Sequence, residues 1–121
     1  MDRKKIKQEY KRMIPPKGVF VLKNEVNGRV FLGSTLNLKG VEEKNRFLLT
    51  TGSHRNVRLQ EDWDRYGGES FRFEILQELK INSDPGYDYE EDLKILELIW
   101  VEKFRPLNVK CYNESENIRT V

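Results

Sequence analysis

The sequence predicts an α+β domain in which helices cover a small β-sheet. In the first third of the chain, Asn27-Gly28 separates two runs of β-forming residues, which is the strongest short signal for a β-hairpin. Beyond it, apolar residues recur at helical spacing, apart from one alternating run at 71–76. With 121 residues, the chain is long enough for one such domain built on one core.

The first predicted element is a basic amphipathic helix. Residues 2–13 place Ile6, Tyr10 and Met13 on one side at i, i+4 and i+7, and two consecutive prolines then end the helix. We treat residues 1–17 as an N-terminal segment and expect its helix to dock on the domain.

The hairpin follows, with strands expected at 18–22 and 29–33. If the loop at Asn27-Gly28 has two residues, the numbers of opposed residues sum to 55. That register places Phe20 and Phe31 on the same face of the sheet, because side chains alternate between the two faces of a strand.

Helices and a third strand complete the prediction. Helices are expected over 37–50 and 56–66, and Gly67-Gly68 ends the second. The run at 71–76 predicts a strand with one face in water, and 88–104 predicts the longest helix. The tail from residue 106 onward is expected to be mostly irregular.

Composition excludes several classes of protein. Cys111 is the only cysteine, so no intramolecular disulfide can form and a cysteine-rich zinc site is not indicated. No run approaches the roughly 20 apolar residues that span a bilayer, and no signal peptide is recognisable. We therefore expect a soluble protein of the reducing cytoplasm, without a membrane partner.

Charge is unevenly distributed, although the formal net charge is only +2. Lys and Arg dominate residues 1–17, whereas Asp and Glu dominate residues 84–102. The basic end is suited to contact phosphate; the alternative is that both regions are solvated helix faces that confer solubility.

Two strings in the predicted hairpin resemble the signature of the GIY-YIG endonuclease family. Gly18-Val19-Phe20 stands where that family has GIY, Phe31-Leu32-Gly33 stands where it has YIG, and Ser34-Thr35 continues with the usual small polar pair. Both signature tyrosines are phenylalanine here. Further strings keep the family's order: Gly52-Ser53-His54, Leu59-Gln60, Tyr66-Gly67, Glu97 shortly before Trp100, and Cys111-Tyr112-Asn113.

The resemblance implies a three-stranded antiparallel sheet flanked by helices over residues 18–113, with the extra N-terminal helix before it and a tail at 114–121. It also implies hydrolysis of DNA phosphodiester bonds with a single divalent ion, Mg²⁺ or Mn²⁺. DNA is the expected partner, and no feature names a protein partner.

Glu97 falls at the family's metal-binding glutamate. Helical spacing surrounds it with apolar side chains, so its carboxylate needs a partner. A single carboxylate suits an ion that keeps several of its waters. The alternatives are a structural ion pair, or an edge position from which the side chain reaches solvent.

In the family, a signature tyrosine hydroxyl contacts or deprotonates the nucleophilic water. Phe20 and Phe31 lack that oxygen, so we expect them to serve the site as packed rings only. His54, Tyr66 and Tyr112 are the candidate replacements for the base. His54 is the only histidine and titrates near neutral pH, although it also suits a helix-capping turn.

The family's first helix supplies an arginine that holds the scissile phosphate. A direct count from the second signature string places Val41 there. If Gly40 delays the helix by about one turn, then Lys44, Asn45 and Arg46 face the phosphate, with Lys44 as the main cation. Lysine lacks the bidentate fork of arginine, so a weaker or slower site is expected. An exposed helix charge is the alternative.

The remaining assignments are supporting ones. Ser34 is expected to hydrogen-bond phosphate or to close its strand, and Asn113 to support the site or to satisfy nearby backbone. Contacts with the DNA backbone, or else simple solvated surface, are expected for five basic residues: Lys17, Lys23, Arg29, Arg55 and Arg58.

Three functions agree with these residues. The first is an endonuclease-like domain, of reduced activity because both tyrosines are replaced. The second is a catalytically inactive nucleic-acid-binding module of the same fold. The third is a protein-interaction domain, which the small net charge and the acidic stretch before Glu97 keep open.

Overall fold

The computed structural model describes residues 14–112. The predicted helix at 2–13, Asn113 and the tail at 114–121 lie outside the described residues. The elements are, in chain order, β1 (Gly18–Asn24), β2 (Val30–Thr35), α1 (Val41–Thr50), α2 (Val57–Tyr66), β3 (Phe71–Glu78) and α3 (Glu90–Phe104), with 3₁₀ turns at Gly68–Ser70 and Arg105–Leu107.

The three strands form one antiparallel sheet in the order β2-β1-β3. This confirms the predicted α+β class and the three-stranded antiparallel sheet. β1 is central, and its first five residues are all buried. A strand covered on both faces needs apolar residues at every position, which explains the uninterrupted Val19–Leu22 run.

Helices cover both faces of the sheet. Val19 and Val21 pack on one face with Leu96 and Val101 of α3. On the opposite face, Leu22 packs with Leu49 of α1 and Leu59 of α2, and Phe20 packs with Leu38 and Val41. The two helix layers therefore enclose β1 from opposite sides.

The hairpin is present as predicted, but its loop is longer than the two residues that the register calculation assumed. Phe20 is opposite Gly33 and Leu22 is opposite Phe31, so the register differs by two from the expected one. The loop is wider because two asparagine side chains hold it: Asn24 accepts from the N–H of Val26, and Asn27 accepts from the N–H of Arg29, each at 3.0 Å. A shift of two keeps every side chain on its face, so Phe20 and Phe31 still share one, as predicted.

The three helices begin later than predicted, and each of the three strands ends two residues later than predicted. α1 begins at Val41 rather than at residue 37, because Asn37 forms a turn in which its Oδ1 accepts from the N–H of Lys39 at 3.1 Å. α3 begins two residues later than predicted. β3 extends to Glu78 through a bulge opposite Val19 and Phe20.

Candidate active site

A cleft of about 1350 Å³ opens on the sheet face that carries α1 and α2. Phe20, Phe31 and Gly33 line it from the strands, α1 supplies Val41, Lys44, Asn45 and Leu48, and the entrance of α2 supplies Arg55, Asn56, Val57 and Arg58. Ser34, His54, Glu61 and Tyr112 also line it. The structure therefore brings together most of the predicted site residues.

The two signature rings form one aromatic surface at the back of the cleft. The Phe20 and Phe31 ring centroids lie 6.2 Å apart, and Phe20 stacks on Phe73 at 5.6 Å. Phe20 is only 3% exposed, whereas Phe31 is half-buried. Neither ring carries an oxygen, so this surface provides packing and no proton transfer.

His54 joins α1 to the start of α2. Its Nδ1 accepts the backbone N–H of Asn56 at 3.0 Å, which leaves the ring proton on Nε2, 2.8 Å from Oδ1 of Asn45. The ring also meets Phe31 edge-on, with centroids 5.1 Å apart. Burial lowers the pKa of His54. The imidazole is therefore a neutral structural link whose accepting nitrogen is already occupied, which argues against the predicted role as base.

Tyr112 belongs to a second polar network at the edge of the cleft. Its hydroxyl donates to Oδ2 of Asp62 at 2.6 Å and accepts from Nδ2 of the fully buried Asn24 at 3.0 Å. Burial, together with the bond to Asp62, raises the pKa of Tyr112 to about 12. Such a hydroxyl holds its proton near neutral pH, so Tyr112 is poorly suited to replace the missing base.

Glu97 reaches the end of β2 from α3. Its Oε2 accepts a hydrogen bond from Oγ of Ser34 at 2.8 Å, and Ser34 itself lines the cleft. Burial raises the pKa of Glu97, and the bond from Ser34 partly opposes that shift. The ion pairs within residues 14–112 are Arg46 with Glu42 and Arg105 with Glu102, so the partner of Glu97 is a hydroxyl rather than the cation of the alternative interpretation.

Lys44, Arg55 and Arg58 are exposed and line the cleft, and we call these three the cationic rim. The late start of α1 brings Lys44 to the cleft, in agreement with the expected delay at Gly40. None of the three rim residues has an ion-pair partner in the described part of the chain. They are therefore available for an anion.

Arg46 does not belong to this rim. Its Nε pairs with Glu42 at 2.9 Å, its Nη1 and Nη2 donate to the carbonyls of Gly68 and Phe71, and it lies 5.8 Å from the ring of Trp63. The phase of α1 directs Arg46 toward the α2–β3 connection, so the predicted phosphate contact is not supported.

Other predicted residues also lie away from the cleft. Lys17 is 5% exposed; its Nζ donates to the carbonyl of Pro15 at 3.1 Å and lies 4.7 Å from the Tyr89 ring centroid, and burial lowers its pKa. The expected DNA contact of Lys17 is therefore not supported. Lys23, Arg29 and Tyr66 are absent from the cleft lining.

Sequence reasoning missed the network of Asn24 and Asp62 and the role of Asn56. Asn24 appears in the sequence as an ordinary turn residue, and only its burial reveals its long-range bond to Tyr112. Asn56 directly precedes α2 and caps it by accepting from the N–H of Leu59 at 3.0 Å. An asparagine before a helical run is a recognisable signal for that role.

Two features are absent from residues 14–112. No group of three or more His, Cys, Asp or Glu residues there is arranged to hold a metal ion. Within the same range, no helix has the length and apolar character required to cross a bilayer.

Comparison with known proteins identifies the fold. No protein-family model and no curated protein sequence matches the chain. Among solved structures, the catalytic domain of the homing endonuclease I-TevI is similar, with a TM-score of 0.63 and 21% identity over 78% of this chain and 96% of that one. A single-residue variant of that domain gives a TM-score of 0.62 and 23% identity over 78% and 91%. From its strand order, its helix layers and this likeness, the chain has a GIY-YIG-like fold.

Proposed function

We propose that the cleft binds the DNA backbone and that the chain is a divalent-metal-dependent endonuclease domain of reduced activity. The observation that supports this most is a cationic rim that lines the cleft together with a half-buried carboxylate that is hydrogen-bonded to Ser34 of the lining. Lys44, Arg55 and Arg58 supply the charge, and Glu97 approaches the same cleft through Ser34. The similar solved domain is named as that of a homing endonuclease, whose substrate class is DNA.

The donors near Glu97 fit a hydrated divalent ion only modestly. One carboxylate with an adjacent hydroxyl is a hard oxygen set, which suits Mg²⁺ or Mn²⁺ that retains several waters. Burial disfavours the charge of Glu97, and a bound cation would remove that penalty. When bound, the ion would polarise a phosphate oxygen as a Lewis acid.

The cationic rim and the two phenylalanine rings serve different parts of the proposed reaction. Phosphodiester hydrolysis needs cationic stabilisation of the phosphorus centre and an activated water. Lys44, Arg55 and Arg58 bind and orient phosphate oxygens, and Phe20 and Phe31 close the back of the cleft to water. Activation of water is the weak step, since His54 has no accepting nitrogen to spare and Tyr112 has a pKa of about 12. We therefore expect slow cleavage.

Two observations favour a second function, a DNA-binding module that has lost catalysis. Both signature rings lack hydroxyls, and both nitrogens of His54 are engaged. Such a module keeps the rim and uses it for affinity alone. It differs from the leading proposal in one measurable property, which is cleavage that depends on a metal and on Glu97.

A plasmid-nicking assay with Mg²⁺ or Mn²⁺ tests the proposal. The wild type and Glu91→Ala, an exposed carboxylate on the same helix, should nick DNA at similar rates, whereas Glu97→Ala should lose nearly all nicking. Nicking that survives Glu97→Ala would contradict the metal assignment. DNA binding without nicking would favour the binding module, and absence of both would favour a protein-interaction domain.

A thermal-shift titration gives a readout of metal binding that does not depend on cleavage. An ion that binds only the folded state stabilises it by RT ln(1 + [L]/Kd), about 2.7 kcal/mol at 100 times Kd. Mg²⁺ or Mn²⁺ should therefore raise the Tm of wild type and of Glu91→Ala but not that of Glu97→Ala. Equal shifts in all three proteins would indicate binding elsewhere.

A further inference from the structure

Next to the cationic rim, α1 carries an exposed aromatic ring that belongs to no core cluster. Phe47 of α1 is 67% exposed, one helical turn after Lys44 of the cationic rim. Side chains at i and i+3 of a helix are neighbours, with Cβ atoms about 5–6 Å apart. The ring therefore stands beside a cation that faces the cleft, and its apolar surface remains in water.

A second exposed apolar side chain lies at the start of α2. Val57, the first residue of α2, is 66% exposed and lines the cleft between Arg55 and Arg58. Exposed apolar side chains thus accompany the rim cations along both segments: Phe47 follows Lys44 on α1, and Val57 lies between Arg55 and Arg58 in the sequence. Phosphate binding alone does not require the exposed apolar side chains of Phe47 and Val57.

We infer that the cleft takes DNA with unpaired bases, with the Phe47 ring stacked on a base whose phosphates contact the cationic rim. This inference rests on the proposed function, and it specifies the substrate class. Aromatic rings beside a positively charged groove are how single strands are bound, because every base offers a flat face. In an intact duplex the bases are already stacked on each other, so the ring would first have to unstack a step.

Charge complementarity commits this surface to a nucleic acid. The three rim cations have no ion-pair partner among residues 14–112. Glu90, Glu91 and Asp92, in the first turn of α3, belong to the helix on the opposite side of the sheet from α1. The lining itself holds one carboxylate, Glu61, against the three rim cations, so a polyanion that enters the cleft meets net positive charge.

Binding of a fluorescent single-stranded oligonucleotide and of a blunt duplex of equal length tests the inference. Stacking of one base is worth about 1–3 kcal/mol, so Phe47→Ala should weaken single-strand binding about 5- to 150-fold and duplex binding less than about 2-fold. Leu107→Ala removes a similarly exposed apolar side chain, at 70% exposure and away from the cleft, and should change neither affinity. Phe47→Trp should retain single-strand affinity and add a fluorescence signal that the bound strand quenches.

The outcomes separate this inference from the proposed function. Alanine has the higher helix propensity, so Phe47→Ala should fold, and a circular dichroism melt verifies this. If the wild type binds single strands and duplex equally and Phe47→Ala matches it, the substrate inference fails while DNA binding stands. Equal weakening on both ligands would also overturn it, because the ring would then act on paired DNA. If the wild type binds neither, the proposed function itself fails.

Discussion

At the residue scale, Glu97 has an environment that works against its own charge. The carboxylate is half-buried beneath the end of β2, and the hydroxyl of Ser34 is its hydrogen-bond donor. Burial raises its pKa more than that hydrogen bond lowers it. Burial therefore costs stability whenever Glu97 is charged, and the cation of the proposed function would offset that cost.

Replacement of Glu97 by glutamine should therefore stabilise the fold near neutral pH. A folded-state pKa above the unfolded value gives stability that is present below the unfolded pKa and is lost as pH rises through the folded pKa. Glutamine keeps an acceptor for Ser34 and removes the ion. Urea unfolding of Glu97→Gln should give a higher unfolding free energy than wild type at pH 7, and the gain should disappear below about pH 4. Glu74→Gln, at an exposed position of β3, should show no such pattern.

Gly33 shows why a glycine follows the second signature ring. A Cβ added at Gly33 would lie 2.7 Å from Cζ of Phe20, its partner on β1, so the ring occupies the space of the missing side chain. Gly33→Ala should destabilise the fold by about 1–3 kcal/mol in urea unfolding. The double variant Gly33→Ala with Phe20→Leu should lose less stability than the sum of the two single variants, because leucine removes the ring that the new Cβ would meet. Gly86→Ala, where the nearest atom is 3.6 Å away, is the control and should change little.

At the element scale, hydrogen bonds between polar side chains join α2 to α1 and to the hairpin. His54 links α1 to the start of α2 through Asn45 and Asn56. Tyr112 links the hairpin to α2 through Asn24 and Asp62, and Asn27 adds a bond to the same Asp62 oxygen at 3.0 Å. Both links border the cleft, so they hold its walls in place without entering its chemistry.

Removal of the Tyr112 hydroxyl should therefore loosen the hairpin and α2 together. Tyr112→Phe leaves the amide of the buried Asn24 without its acceptor, which should lower the unfolding free energy by about 1–3 kcal/mol. The pKa of Tyr112 is raised to about 12 in the folded state, so wild type should also lose stability as pH rises from about 10 toward 12. The variant has no hydroxyl to titrate and should lack this loss. Tyr87→Phe removes an exposed hydroxyl bond to Asp92 and should stay within about 0.5 kcal/mol of wild type.

The sequence predicted those features of the fold that depend on short-range pattern. The shared face of Phe20 and Phe31 was predictable because a register shift of two residues leaves each side chain on the same face of the sheet. The loop length was not, because it depends on hydrogen bonds that the side chains of Asn24 and Asn27 accept. The late start of α1 at Gly40 was partly predictable from the glycine itself.

The site residues depend on long-range contacts, which the sequence does not encode locally. Lys44 and Arg46 are equivalent in the sequence, yet the packing of α1 directs one to the cleft and the other to carbonyls near β3. Lys17 is buried against Tyr89, from a distant part of the chain. His54 stood out as the only histidine of the chain, but the hydrogen-bond partner of each ring nitrogen could not be predicted from the sequence.

At the scale of the whole molecule, the arrangement of charge matters more than its total. The formal net charge of +2 is too small to attract a polyanion strongly by itself. The cationic rim concentrates three positive charges at the cleft against one carboxylate of the lining, Glu61, and the acidic first turn of α3 belongs to the helix across the sheet from it. DNA affinity should therefore depend on where positive charge is removed.

Two triple variants that each remove three positive charges test this dependence. The first carries Lys44→Gln, Arg55→Gln and Arg58→Gln at the rim; the second carries Arg65→Gln, Lys80→Gln and Lys94→Gln at exposed positions outside the cleft. Each phosphate contact with a single strand contributes about 0.7 to the slope of log K against log salt concentration, so the rim variant should lose about 2 of that slope. The second variant should keep the slope of wild type. The slopes are measured by anisotropy titrations between about 50 and 200 mM salt. Equal losses in both would mean that the chain responds only to net charge, and the cleft would not be the DNA interface.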